Sequence, residues 1–479
     1  MQNSTVSGLD KVDTNSRLPE YRELLRVALP LIMAASGHAL RLFSDRIMLS
    51  HYSPEALAAS MPAGLFCFTF MSIFIGTAGY ANTFVSQYTG AGQHKKTGAL
   101  IWQALHISLL GGAIVALFSL VSVPIFRWVG HASAVQEQQV EYFNVLAWFS
   151  FSGIALAAVN SFWSGRGETK VVMMIELMCA AVNVILNTLL IFGKFGLPRL
   201  GIFGAGLATG LSNTLGLALA LVLFLSKANR EKYETLPRRI LNSRLMWRLL
   251  KYGFPNGLQF ALDLMAFNFF VVLIGRQGQV QLEASNIAFA INALVYLPIL
   301  GLGMTASIFV GQWLGADNVP MARASVRRVM ILSLFYNVSL GSVLLWFPEQ
   351  IVGMFLPSHN PARGLVLVSA VRCLRYVVAY LVFDSFYMVQ SQAIKGAGDT
   401  RFAMCAGISL SWATLAIPCY YAIKYGGSIW TLWTILVVHV MIVSVVFSLR
   451  YLMGPWTTMR VIDHAPPAPE TDYEIDLGR

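Results

Sequence analysis

The chain has 479 residues, of which 56% are hydrophobic and only 12% charged, with a formal net charge of +11. A soluble domain carries about 25% charged residues, so a soluble globular fold is excluded. The positive balance reads as basic residues gathered at one membrane face, not as a nucleic-acid footprint, and no nucleic-acid partner is expected.

The first twenty residues are polar, so no cleavable signal peptide is expected. Apolar runs then recur along the chain, among them Ile107 to Ile125, Leu207 to Leu225 and Thr431 to Leu449. Each is long enough to cross a hydrocarbon core of roughly 30 Å as a helix. The runs are too continuous for barrel strands, leaving helices as the only spanning structure. Spans are predicted near 25–49, 55–87, 98–126, 140–163, 171–193 and 203–226. A second set lies near 247–275, 283–313, 323–346, 365–394, 402–424 and 428–454. Of the 34 Lys and Arg, Arg127, Lys194, Arg199, Arg276, Arg363 and Lys424 lie between spans on the side opposite the N-terminus. Arg41, Arg46, Arg372 and Arg375 lie inside spans, and the rest fall on the N-terminal side. That asymmetry predicts a plasma-membrane protein with both termini in the cytoplasm.

The two sets of spans repeat each other. Leu24 to Pro30 matches Leu249 to Pro255, and Phe84 to Ala91 matches Phe309 to Ala316, each displaced by 225 residues. Gly165 to Lys170 matches Gly396 to Arg401 at a displacement of 231. The fold class is therefore an all-α membrane protein: twelve transmembrane helices in two pseudo-symmetric six-helix bundles. Six crossings return the chain to its starting side, so the repeats run parallel about a central cleft. The organisation is an N-terminal segment over 1–24, bundles over 25–226 and 247–454, a basic linker over 227–246 and a disordered tail over 455–479. Such bundles suit a transporter, although a channel or a scaffold could share the architecture.

Acids inside spans are costly, on the order of 2.5–3.5 kcal/mol at mid-bilayer, and usually have a use. Four qualify: Asp45, Glu176, Asp263 and Asp384. Helical spacing places Asn256, Gln259, Phe260 and Phe267 on the face of Asp263. Such a lining could hold a cation through oxygens or stack an organic cation on rings. Asp384 has Tyr380 one turn before it and Tyr387 one turn after, either able to bond the carboxylate. For both acids the alternative is a structural hydrogen bond between helices. Asp45 has His38 at i−7, Arg41 at i−4 and Arg46 beside it. It reads either as a cavity carboxylate or as half of an ion pair with one of those arginines. Asn183 and Asn187 could bridge helices or line the same cavity, and Glu176 could be an entrance charge. His106 and His439 read as structural, and Trp128, Trp247, Trp346 and Trp456 as interfacial anchors. The five cysteines, Cys67, Cys179, Cys373, Cys405 and Cys419, form no CxxC pair and read as core, so neither a disulfide nor a structural metal is expected.

Together these residues resemble the multidrug and toxic compound extrusion (MATE) family, over about residues 20 to 455. Phe43-Ser44-Asp45 with Pro54 to Ala59, the paired loops Gly165 to Lys170 and Gly396 to Arg401, and Asn183 to Asn187 carry the likeness. In the NorM-type branch a span-7 acid falls eight residues after a proline, where Asp263 follows Pro255. Asp384 and Tyr380 match its span-10 pattern. The resemblance implies cation coupling, to Na⁺ or H⁺, at Asp263, Asp384 and Tyr380. It implies an N-half cavity lined by Asp45, Asn183 and Asn187, to which His38 is added by helical position. Gln259, Phe260, Phe267 and Tyr387 are the residues expected to line the substrate path. The expected activity is antiport of amphipathic, often cationic, small organic substrates by a monomer in contact with membrane lipid, with no cofactor and no enzyme chemistry. Arg46 departs from the family, which usually has a small polar residue after the span-1 aspartate. A flippase for lipid-linked precursors is the alternative, and would need Arg41, Arg46, Arg372 and Arg375 to line one cavity.

Overall fold

The computed structural model describes residues 20–129, 132–236, 240–356 and 362–463. Among these, eleven helices are long and apolar enough to cross a membrane. They are α1 (Tyr21–Tyr52), α2 (Pro54–Gly90), α3 (Lys95–Trp128), α5 (Thr169–Phe192), α6 (Gly201–Phe224) and α7 (Ser243–Gly275). The remainder are α8 (Gln279–Gly315), α9 (Val319–Trp346), α10 (Arg363–Ala397), α11 (Thr400–Lys424) and α12 (Ile429–Met453). The twelfth span, α4, is the pair Ser133–Trp148 and Ser150–Gly165, bent by 43°. All twelve expected spans are present, most of them longer at one or both ends than the apolar runs alone indicated.

Local chemistry sets the ends. Ser53 accepts from the Ala56 N–H at 2.9 Å and Pro54 opens α2, where its missing N–H costs nothing. Asn242 and Asn318 cap α7 and α9 through the N–H groups of Leu245 and Met321, both at 3.1 Å. Gly398, at φ 116°, ends α10 in a left-handed turn.

Twelve crossings bring both ends of the described chain to one side, here termed the terminal end. The halves meet there. Gly253 and Gly257, one turn apart on α7, lie on the backbone of α2 at Thr77 and Ile73. A Cβ at Gly90 would lie 1.8 Å from the Gln312 carbonyl oxygen, and one at Gly315 would lie 2.1 Å from that of Gln87. Each member of this reciprocal pair is displaced by 225 residues from its counterpart, the spacing of the sequence repeat. An apolar cluster shared by Leu24, Val27 and Leu31 of α1 with Leu302, Ile308 and Val326 of the second half extends the seal. The packing cores at the opposite end stay within single halves, one around Phe143 and Ile202, the other around Phe270 and Trp433. The bundle is closed at the terminal end.

Two expectations change. Residues 455–463 are not disordered: Trp456 and Val461 are buried, and Trp456 stacks on Tyr451 at 5.0 Å. Trp456 is therefore a packing residue, while Trp128, Trp247 and Trp346 are exposed as anchors should be. The apolar side chains of this short segment find cover against the helix ends. Residues 464–479 and 1–19 lie outside the described residues. Cys405 is exposed, unlike the other four cysteines, because it faces out from α11.

Candidate functional site

In the second half, Ser411 Oγ donates to Asp263 Oδ1 at 2.8 Å. Ser411 opens a π-helical stretch, Ser411–Ala416, just before Pro418. Such a widened turn re-aims side chains inside a helix and often marks a site. Gln259, one turn before Asp263 on α7, is turned to the same carboxylate and is 1% exposed. Lys395, near the end of α10, is the cation that acts on Asp263, yet it forms no ion pair among the described residues.

Asp384 differs. Its half-buried carboxylate accepts no hydrogen bond and meets no cation within ion-pair distance among the described residues. Tyr296 of α8 and Tyr387 of α10 are each within electrostatic reach of both Asp263 and Asp384. The two acids, on α7 and α10, thus have the same two tyrosines as neighbours. An ionised group partly withdrawn from water and without partners is costly unless a cation or a proton joins it. Two carboxylates, tyrosine hydroxyls and Ser411 offer hard oxygen ligands. Among the described residues no three His, Cys, Asp or Glu side chains converge as a metal cluster would require.

In the first half, Asp45 is 5% exposed. Asn187 Nδ2 donates to Asp45 Oδ1 and, at 3.1 Å, to Asn183 Oδ1. Asn183 Nδ2 donates to Thr209 Oγ1 at 3.2 Å, and that hydroxyl donates to Asp45 Oδ2 at 3.2 Å. The ring of bonds joins α1, α5 and α6. Arg41 does not pair with Asp45. Its guanidinium donates to Glu176 Oε2 at 2.8 Å and to Asn213 Oδ1 at 2.7 Å, with His38 Nδ1 at 3.1 Å. Asn160 Nδ2 supports Glu176 Oε1 at 3.0 Å. Arg41 thus pairs with Glu176 in place of Asp45, and the hydrogen bonds to Asp45 come from neutral donors.

The remaining expected residues are placed as follows. Gln259 is buried and packs against Gly407 of α11. Asn183 and Asn187 are fully buried and close on Asp45 instead of facing open space. Glu176 is a paired interior group and not an entrance charge. Tyr380 is buried and makes no hydrogen bond to Asp384 among the described residues. Phe260 and Phe267 are part-exposed, and Phe260 meets Phe68 of α2 edge-on at 6.0 Å, across the halves. His38 lies 6.5 Å from the same Phe68, so His38, Phe68 and Phe260 form an aromatic bridge. Tyr387 packs edge-on against Phe447 at 5.1 Å. His106 and His439 contact Trp102 O and Thr414 Oγ1, both at 2.6 Å, the structural use expected of them. Arg372 lies over the Trp430 ring at 3.9 Å.

Tyr296, Lys395, Ser411 and Thr209 were missed by sequence reasoning. Ser411 and Thr209 are ordinary hydroxyl residues in apolar spans and carry no signal. Lys395 borders the Gly396 loop and falls by position among the basic residues of the N-terminal side. The visible sign was its spacing, eleven residues beyond Asp384 and so on the same helical face.

Comparison with known proteins gives the identity of this architecture. The MatE family profile matches residues 30–189 and 255–421. The chain belongs to the MatE family. Among the similar curated relatives is a probable multidrug resistance protein NorM of Pseudomonas syringae pv. tomato, 30% identical over 441 residues, covering 86% of this chain and 91% of the relative. A probable multidrug resistance protein NorM of Synechocystis is 27% identical over 416 residues, covering 86% and 90%. Among solved structures, a multidrug resistance MATE family transporter of the MOP superfamily in an outward-facing conformation matches with a TM-score of 0.82 at 20% identity, covering 90% of this chain and 95% of that one. A eukaryotic MATE transporter matches with a TM-score of 0.80 at 20% identity, covering 91% and 96%. This MATE protein is an integral membrane transporter and not an enzyme. The matched segments fall one in each bundle, and contain Asp45, Asn183 and Asn187 in the first and Asp263 and Asp384 in the second.

Proposed function

We propose that this MATE transporter exports amphipathic, often cationic, organic compounds in exchange for Na⁺ or H⁺ by alternating access. The observation that carries the reading is the Asp384 carboxylate, which accepts no hydrogen bond among the described residues and has Tyr296 and Tyr387, the neighbours of Asp263, within electrostatic reach. A carboxylate in that position needs a positive partner that can come and go. The basic residues of the terminal end favour its placement in the cytoplasm of a plasma-membrane protein acting as a monomer. The closed terminal end then corresponds to a cleft that opens outward.

In this cycle, the coupling ion enters from outside and joins Asp384 with Asp263 nearby. Each charge moving down a potential of 100 mV releases about 2.3 kcal/mol, which can drive an organic cation out. Part-exposed Phe260, Phe267 and His38 supply the aromatic faces on which such a cation stacks. The names of the NorM relatives support multidrug substrates. The flippase alternative loses ground because two of its four arginines are engaged separately: Arg41 with Glu176, and Arg372 over Trp430.

The test is efflux of a fluorescent organic cation from proteoliposomes under separately imposed Na⁺ and H⁺ gradients. One gradient should accelerate efflux. Equal efflux with both gradients collapsed would refute antiport.

A further inference from the structure

Beyond α12 the chain turns at Gly454 and lies across the terminal end. Its attachment to the second half is threefold. Arg248 of α7 bonds both the Asp463 carboxylate and the Val461 carbonyl. Arg460 donates to Asp317 Oδ1, in the turn between α8 and α9, at 3.1 Å. Val461 Cγ1 lies close against Gly398, where a Cβ would come within 2.8 Å.

The same segment also touches the first half. The Val461 N–H donates to Gln87 Oε1 at 2.8 Å. Val461 and Ile462 join the apolar core formed by Phe84, Val85 and Tyr88 of α2 with α3 and α4. Gln87 is the residue whose Nε2 donates to Gly396 O at 3.0 Å, and to Ala397 O at 3.4 Å. One side chain thus ties the first half both to α10 and to the segment after α12. Separating the halves at the terminal end must break the polar bond and expose Val461 and Ile462.

We propose that residues 454–463 are a strap that holds the terminal end shut and sets the balance between the two orientations of the transporter. The inference rests on the alternating-access reading. The strap is anchored on the second half, at Arg248 and Asp317, and engages Gln87 of the first half only while the seal is closed. Its loss favours the form open at the terminal end.

The test follows the distance between spin labels at Lys95→Cys in the first half and Arg323→Cys in the second, with exposed Cys405→Ser, in full-length protein in lipid nanodiscs. Val461→Pro deletes the donor to Gln87, and a second variant ends the chain after Thr458. Each should raise the ratio of long to short distances about fivefold, the weight of roughly one hydrogen bond. In a Gln87→Leu background, Val461→Pro should add little, because both remove the same bond. Unshifted distances in both folded variants would overturn the strap, as would full additivity with Gln87→Leu. A wild-type protein that never populates the long distance under any ion gradient would instead overturn alternating access.

Discussion

The Gln87 side-chain amide donates across the halves to the Gly396 carbonyl at 3.0 Å, and Gln312 does the same to Gly165 at 3.0 Å. Gln87 and Gln312 stand 225 residues apart, and Gly165 and Gly396 stand 231 apart, so each latch is the pseudo-symmetric image of the other. Both depend on the backbone approach at Gly90 and Gly315. Gly90→Val would drive a branched side chain into the Gln312 carbonyl, which cannot rotate away. The expected result is loss of the closed terminal end and efflux reduced at least about tenfold. Spin-label distances across that end and vesicle efflux check it; closure at wild-type distances would contradict the latch geometry.

Asp384→Asn should abolish ion-driven efflux without lowering thermal stability. The carboxylate makes no hydrogen bond among the described residues, and the amide keeps its volume. Thermal unfolding in detergent together with gradient-driven efflux reads both halves of the claim. Wild-type transport by this variant would remove Asp384 from the coupling site.

Lys395 places a positive charge near Asp263, and Ser411 occupies one of its oxygens. Removing either should leave the carboxylate freer for the coupling ion. Lys395→Met and Ser411→Ala are each expected to lower the half-saturating ion concentration about tenfold, a shift of roughly 1.4 kcal/mol. Lys395→Arg should stay near wild type. Ion titrations of initial efflux rate measure this, and a rise in half-saturation in Lys395→Met would reverse the assigned role.

The Arg41–Glu176 pair is buried, with side chains 8% and 16% exposed. Breaking a buried pair strands a charge and typically costs about 3–5 kcal/mol, whereas replacing both partners with apolar groups can be nearly neutral. Glu176→Leu should therefore lower the unfolding temperature sharply. Arg41→Met combined with Glu176→Leu should recover much of the loss. A double variant no better than Glu176→Leu alone would show that Asn213 and Asn160, not the pair, hold these helices.

Asp45 is held by Asn187 and Thr209. Asn187→Ala removes the donor that serves both Asp45 and Asn183, leaving a buried carboxylate short of a partner, at a cost of about 1–3 kcal/mol. The expected phenotype is reduced stability and reduced efflux, with ion binding in the second half retained. Isothermal titration with Na⁺ or pH-jump proton uptake on the purified variant separates the two halves; ion binding lost along with efflux would mean that they are not independent.

The membrane environment, the number of spans and the duplication are legible in the order of residues alone. Lipid supplies no backbone partners, so apolar length and its repetition leave one kind of answer. That order also marks Asp263 and Asp384, because a lone acid in an apolar span is costly wherever it sits. Pairing between side chains is not legible in that order, and emerges only from the packed helices. Arg41 is one turn from Asp45 in sequence, but its guanidinium reaches Glu176 on another helix. Gln259 shares a helical face with Asp263, but it packs against Gly407 of α11. Ser411, Thr209 and Lys395 joined the site only when α11, α6 and α10 were packed. A span's own periodicity fixes which side chains share a face; it does not say which neighbouring helix that face will meet, and a hydrogen bond depends on both.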